Sequence, residues 1–239
     1  MDITHLVVNG CSWTYCYGLD DQKSQGWPAL VAKELGIPVV NIAFPGSGND
    51  SINRRNYEYV YENLPTQSKP LFLIFWTQSW RREAWYNTGA AGYRGVHPAA
   101  NNDEHEKALV EHWNEEDFVR RALLHKLSSI NLFKTYNIPF LTADFAREDI
   151  SIVDTAIDMK KALDNEKCHL VRDDISLGII NSYPKLPCKH DGIEAQKETA
   201  KWWIKQIHDN FSPIGAIKGD FLSLDKYIIQ KSNHYMAWK

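Results

Sequence analysis

The stretch Val7-Val8-Asn9-Gly10-Cys11-Ser12-Trp13-Thr14 holds the residue types most ready for chemistry. A short apolar run ends at Asn9-Gly10, and a serine follows two residues later. A strand that breaks at glycine exposes such a hydroxyl in its next turn, and open α/β sheets hold their chemistry at the carboxyl ends of their strands. The same serine also suits a plain turn or helix cap. A serine hydroxyl is a weak nucleophile at neutral pH. To react it needs a base within hydrogen-bond reach and donors for the oxyanion that forms on attack.

Three further segments supply residues of those types. Pro38-Val39-Val40-Asn41-Ile42-Ala43 reads as a strand and is followed by Phe44-Pro45-Gly46-Ser47-Gly48-Asn49-Asp50. Leu71-Phe72-Leu73-Ile74-Phe75-Trp76 reads as another and ends in Thr77-Gln78-Ser79. Cys188-Lys189-His190-Asp191-Gly192-Ile193-Glu194-Ala195 leads into a helical stretch with two tryptophans. This order of serine turn, Gly/Asn turn, amide turn and histidine before the last helix resembles the SGNH (GDSL-like) hydrolase family, from about Ile3 to Ile207.

The resemblance implies roles. Ser12 matches the nucleophile and His190 the general base that later protonates the leaving group. Gly46 matches the glycine whose backbone N–H points at the oxyanion, and the Ser12 N–H is a second donor. After the third strand the family carries an asparagine, and here Gln78 takes its place. Its amide offers the same N–H on a side chain one methylene longer. Asn49, from the neighbouring loop, competes for that role on residue type. The family also carries an aspartate three residues before the histidine, and here that position is Pro187. Asp191, Asp173 or Asp174 then stand as candidate acid partners. A backbone carbonyl is the other way to orient the ring, giving a Ser–His dyad. Trp13, Trp80 and Arg81 are candidate substrate-binding residues. Arg81 offers a guanidinium for an acidic group, and Arg81-Arg82 reads equally as a solvated charge pair. Cys11 is expected to face away from the pocket and pack. The histidines make no i, i+4 pair and no HExxH pattern, and Gly46-Ser47-Gly48 lacks a P-loop lysine, so neither a metal nor an organic cofactor is expected.

The elements that must position these residues alternate. Ile3–Asn9, Pro38–Ile42, Leu71–Trp76 and Ile138–Ala143 read as strands. Gly26–Leu35, Ser51–Leu64, Glu116–Tyr136 and Glu194–Asn210 read as helices. This rhythm predicts an α/β protein, a flavodoxin-like three-layer α/β/α domain around a parallel sheet, with right-handed crossovers. The whole chain, 1–239, reads as one such domain with two departures. Ser79–Glu115 is a long polar, aromatic insertion, expected to be a lid, a binding loop or disordered. Asp144–Pro187 holds a helix candidate at Asp154–Leu163 and no clear strand. The tail from about 211 to 239 carries a weak apolar run, Tyr227-Ile228-Ile229, expected to pack back on the domain or meet a partner.

Composition narrows the function classes. Lys and Arg number 27 against 30 Asp and Glu, a net −3 that suggests neither a nucleic-acid surface nor a polybasic membrane patch. No apolar run reaches the length of a membrane span. Met1-Asp2-Ile3-Thr4-His5 lacks a basic n-region, so a cytoplasmic protein without a signal peptide is expected. The four cysteines show no close CxxC spacing and read as reduced thiols. The Cys-Ser-Trp-Thr turn is similar to that of predicted hydrolases in phage as well as cellular genomes, so a virion-associated setting stands beside the cytoplasmic one. Nine tryptophans and eleven tyrosines, several in polar loops, suit sugar stacking or a cleft lining, and equally suit lids packed over a core.

Taken with the resemblance, the expected function is ester hydrolysis through an acyl-enzyme, acting on a carbohydrate or other small ester. Acyl transfer to an acceptor other than water is a weaker variant. The alternative is a protein that kept the fold, lost turnover, and binds a glycan or protein partner. The sequence leaves the oligomeric state open.

Overall fold

The computed structural model of the 239-residue chain describes residues 3–63, 69–86, 92–96, 114–145, 157–170, 183–188, 190–211 and 227–229. Six strands form one all-parallel sheet: β1 (His5–Asn9), β2 (Val39–Asn41), β3 (Pro70–Trp76), β6 (Phe140–Asp144), β7 (His169–Leu170) and β8 (Tyr227–Ile229). Their spatial order is β7-β6-β3-β1-β2-β8. Without β8, this is the 2-1-3-4-5 order of a flavodoxin-like sheet.

Both faces of the sheet are covered, which explains why its strands read as unbroken apolar runs. In β3 the side chains alternate. Leu71, Leu73 and Phe75 join one core cluster, and Phe72, Ile74 and Trp76 join the other. The first cluster packs on α3 (Trp27–Leu35) and α7 (Ile193–Phe211) through Trp27, Val31, Trp203 and Ile207. The second packs on α4 (Asn49–Asn63) and α5 (Glu115–Thr135) through Ile52, Val60, Leu123 and Phe133. These are the three layers expected from the strand–helix rhythm.

Three findings go beyond the sequence reading. The insertion expected at Ser79–Glu115 contains an antiparallel pair, β4 (Arg82–Tyr86) and β5 (Gly92–Val96). The stretch expected to lack a strand contains β7, two residues pairing with β6, after α6 (Ile157–Asp164). The run at 227–229 adds to the sheet beside β2. Two short helices, α1 (Ser12–Tyr15) and α2 (Gln22–Gln25), were also unforeseen. Among the described residues no helix is long and apolar enough to cross a membrane.

A buried polar chain fixes the end of β1 from which the serine turn departs. Asn9 Nδ2 donates to the Ile52 carbonyl (2.9 Å) and to Asn56 Oδ1 (2.7 Å). Its Oδ1 accepts from the Gly10 N–H (2.8 Å). Asn56 Nδ2 donates onward to Ser129 Oγ (3.0 Å), whose hydroxyl donates to Asn53 (2.7 Å). Asn56→Ala leaves Asn9 and Ser129 short of partners in the interior. It is expected to destabilise the protein by about 2–4 kcal/mol, one to two unsatisfied buried groups, as read from urea denaturation midpoints. At the same carboxyl edge of the sheet, Lys126, fully buried, reaches Asp144 at 2.7 Å where β6 ends.

Candidate active site

The sheet order sets the site. The chain leaves β1 towards β2 on one side and returns to β3 on the other, so the crevice of this topology opens at the carboxyl ends of β1 and β3. Ser12 follows β1 there, and Thr77-Gln78 follows β3. Ser12 is the first residue of α1 and is 7% exposed. Its N–H is one of the helix's leading donors, which have no intrahelical acceptor. Cys11 is buried, as expected of a packing residue.

The Gly/Asn turn that follows β2 is held from below. Arg55 is buried; it donates to the Ile42 carbonyl (3.3 Å) and Ser47 Oγ (3.2 Å) and lies 4.9 Å from the Phe44 ring centroid. Ser47 closes a turn onto the Phe44 carbonyl (2.8 Å). Gly46 sits at the turn with φ +80, a conformation L side chains rarely adopt. Among the described residues its N–H meets no acceptor.

The two competing amides separate. Asn49 is buried and clamps the end of β3: its Oδ1 accepts from the Thr77 N–H (2.9 Å) and its Nδ2 donates to the Thr77 carbonyl (3.0 Å). The Asn49 oxygen and one of its two N–H groups are thus spent on main chain, which favours Gln78 over Asn49 for the oxyanion. Gln78 Oε1 accepts from the Thr77 hydroxyl (2.9 Å), which orients the amide, and among the described residues its NH₂ group has no acceptor.

His190 is oriented by main chain. Its Nδ1 lies 3.1 Å from the Cys188 carbonyl. A carbonyl only accepts, so Nδ1 carries the proton and the Nε2 lone pair is the basic site. The ring lies against Trp13 (centroids 5.1 Å) and Tyr17 (5.2 Å), and Trp13 stacks on Phe145 (4.7 Å). Burial first, then the charges of Arg81 and Lys185, push the imidazole below its ordinary value of 6.5, while the Cys188 carbonyl works the other way. Among the described residues no hydrogen bond joins the Ser12 hydroxyl to the ring. The serine and histidine meet through Trp13, the residue next to Ser12.

Among the described residues no hydrogen bond joins Asp191 to the histidine. Its carboxyl is buried, burial pushes it up to about 6 while the Lys185 charge works the other way, and its own charge acts on the buried Cys16 thiol. Asp173 and Asp174 lie outside the described residues. Of the binding candidates, Trp13 lines the histidine. Trp80 sits under the Arg81 guanidinium, 5.3 Å from ring centroid to carbon.

Gly18 is a residue the sequence reading missed. Its φ is +90, and a Cβ there would lie 2.4 Å from Cys188 Sγ and 3.2 Å from Leu186 Cδ1. The histidine loop thus packs directly on the serine turn. Gly18→Ala is expected to lower kcat/KM about 10- to 100-fold, the cost of misplacing a catalytic group by roughly an ångström. Adding Cys188→Ala removes the closer clash and is expected to restore part of the loss. The remainder reports the strained φ.

No protein-family model matches the chain, and no curated protein matches it in sequence. Solved structures do match. TesA is 16% identical, with a TM-score of 0.55 over 86% of this chain and 99% of its own. The psychrotrophic esterase EstA from Pseudoalteromonas sp., inhibited by monoethylphosphonate, is 14% identical, with a TM-score of 0.53 over 86% of this chain and 97% of its own. This chain has the SGNH-hydrolase fold. The acetyl xylan esterase Est2A from the rumen bacterium Butyrivibrio proteoclasticus is similar to it at 11% identity, with a TM-score of 0.51 over 87% of this chain and 64% of its own.

Proposed function

We propose that the protein is a serine ester hydrolase of the SGNH type, working through a Ser12–His190 dyad. The observation that carries this reading is the His190 ring, held by the Cys188 carbonyl beside the serine turn with Nε2 left basic. In the reaction His190 Nε2 takes the Ser12 proton as Oγ attacks the ester carbonyl. The Nδ1–H stays on the Cys188 carbonyl throughout. The N–H groups of Ser12 and Gly46 and the Gln78 amide hold the oxyanion. Such donors are worth about 10²- to 10³-fold each in rate. The tetrahedral adduct collapses as His190 protonates the departing alcohol. Water then releases the acyl group by the same steps in reverse. The faces of Trp13 and Tyr17 favour the imidazolium that forms in between.

Structural neighbours described as esterases, including an acetyl xylan esterase, support a small acyl group on a carbohydrate as the substrate. The missing Ser12–His190 hydrogen bond favours a second reading, a binding protein on the same fold. Hydrogen bonds of this kind often tighten only with substrate bound, which favours the enzyme.

Fluorophosphonate labelling with 4-nitrophenyl acetate turnover separates the two. Labelling and turnover in wild type, both lost in Ser12→Ala, are expected. A folded wild type that neither labels nor turns over would sink the hydrolase.

A further inference from the structure

We propose that the site takes an ester bearing an anionic group, a carboxylate or phosphate, which Arg81 binds with help from Lys185. The inference rests on the hydrolase reading for the word ester, and on the geometry around Arg81 for the word anionic.

Arg81 is presented on a stapled turn. Its N–H donates to the Gln78 carbonyl (3.2 Å), so it leaves the same turn as the proposed oxyanion donor. Two residues on, the Glu83 N–H donates to Asp50 (2.6 Å). The Glu83 carboxylate receives a two-pronged Arg54 guanidinium at 3.0 and 2.9 Å. The nearby acids are thereby committed: Glu83 to Arg54, and Asp50 to the backbone N–H groups of Glu83 and Ser51. Neither neutralises Arg81.

The Arg81 side chain itself is under-used. Its guanidinium lies over Trp80, and its Nε is buried with no hydrogen-bond partner among the described residues. A buried donor left unpaired is costly, and a native structure that keeps one calls for a reason. A bound oxyacid supplies it, since guanidinium pairs with carboxylate and phosphate in a fork. Lys185 is the second cation. Its Nζ lies 5.3 Å from the Trp13 ring centroid, and its charge also acts on the Asp191 carboxyl, which faces it across a single antiparallel bridge. Arg81 and Lys185 come from two separate loops, after β3 and before α7, and both act electrostatically on His190. An anion between them would therefore sit next to the base.

The test compares mono-4-nitrophenyl succinate with 4-nitrophenyl butyrate, in which a methyl replaces the carboxylate. A second arm measures succinate and inorganic phosphate binding to Ser12→Ala protein by tryptophan fluorescence, which needs no turnover. Wild type is expected to favour the succinate ester by about 10- to 100-fold in kcat/KM, the range of a charge-assisted pair. Arg81→Gln brings the ratio near one, Lys185→Gln lowers it, and added salt shrinks it. Binding of either anion, lost in Arg81→Gln, supports the site, and the stronger ligand identifies the kind of anion. A ratio near one in wild type, together with no anion binding, overturns the proposal. If neither ester turns over and no fluorophosphonate labels, the hydrolase reading fails, and the binding arm still decides the anion site.

Discussion

His190→Ala is expected to lower kcat/KM by about 10⁴-fold, near the full worth of a general acid–base, while Asp191→Asn is expected to change it by less than about threefold. The contrast follows from where the two side chains point. The histidine's Nδ1 is occupied by the Cys188 carbonyl, and the aspartate acts on Cys16. The pH profile carries the same information. The base works unprotonated, and burial with Arg81 and Lys185 lowers its pKa. The acid limb of kcat/KM therefore lies below 6.5, and Arg81→Gln shifts it upward. Asp191 contributes in the opposite sense to stability. Its folded pKa of about 6 exceeds its ordinary 3.8, so its contribution is fully present below 3.8 and lost as pH rises through 6. Asp191→Asn is thus expected to raise the melting temperature at pH 8 and to leave it nearly unchanged at pH 3.5. The gain at pH 8 is at most about 3 kcal/mol, two pKa units. A large activity loss in Asp191→Asn would restore a carboxylate to the catalytic group.

Gln78→Ala is expected to lower kcat about 10²- to 10³-fold with little change in KM or melting temperature, the signature of an interaction made only in the transition state. Gln78→Asn keeps the amide one methylene shorter and is expected to recover part of the loss. Asn49→Ala provides the contrast. It leaves the buried Thr77 N–H and C=O without their side-chain clamp, so about 1–3 kcal/mol of stability is expected to go per group left unsatisfied. Steady-state kinetics alongside thermal denaturation separate the two amides. A Gln78→Ala protein with unchanged kcat would remove it from the oxyanion site.

The elements legible in the sequence are those whose signal is local. The apolar run of β3 and the periodic face of α5 survive any packing, so their limits come within a residue or two of the structure. β7 was missed because two residues carry no period at all; it exists through its pairing with β6. The β4–β5 pair lies in a segment whose composition reads as loop, and it is anchored at Glu83 by Asp50 and Arg54, contacts some thirty residues apart in sequence. Within the site, the order of Ser12, Gly46 and His190 set their places after β1, after β2 and before α7, which is where the structure has them. What Asn49 does was not, since a clamp and an oxyanion donor use the same side chain and differ only in what lies opposite. Gly18 gave a signal as a glycine in the serine turn, but its partner Cys188 is 170 residues away.

The carbonyl at Cys188 has a consequence for how this site tolerates change. Every amino acid has a main-chain oxygen, so the acceptor that aims the histidine is specified by the path of the loop and by no codon in particular. A saturation scan of the loop would find position 190 intolerant and positions 187, 188 and 191 permissive as long as the bend is kept. A ring aimed this way lets the surrounding sequence drift widely while the loop's path, and with it the direction of the imidazole, is kept.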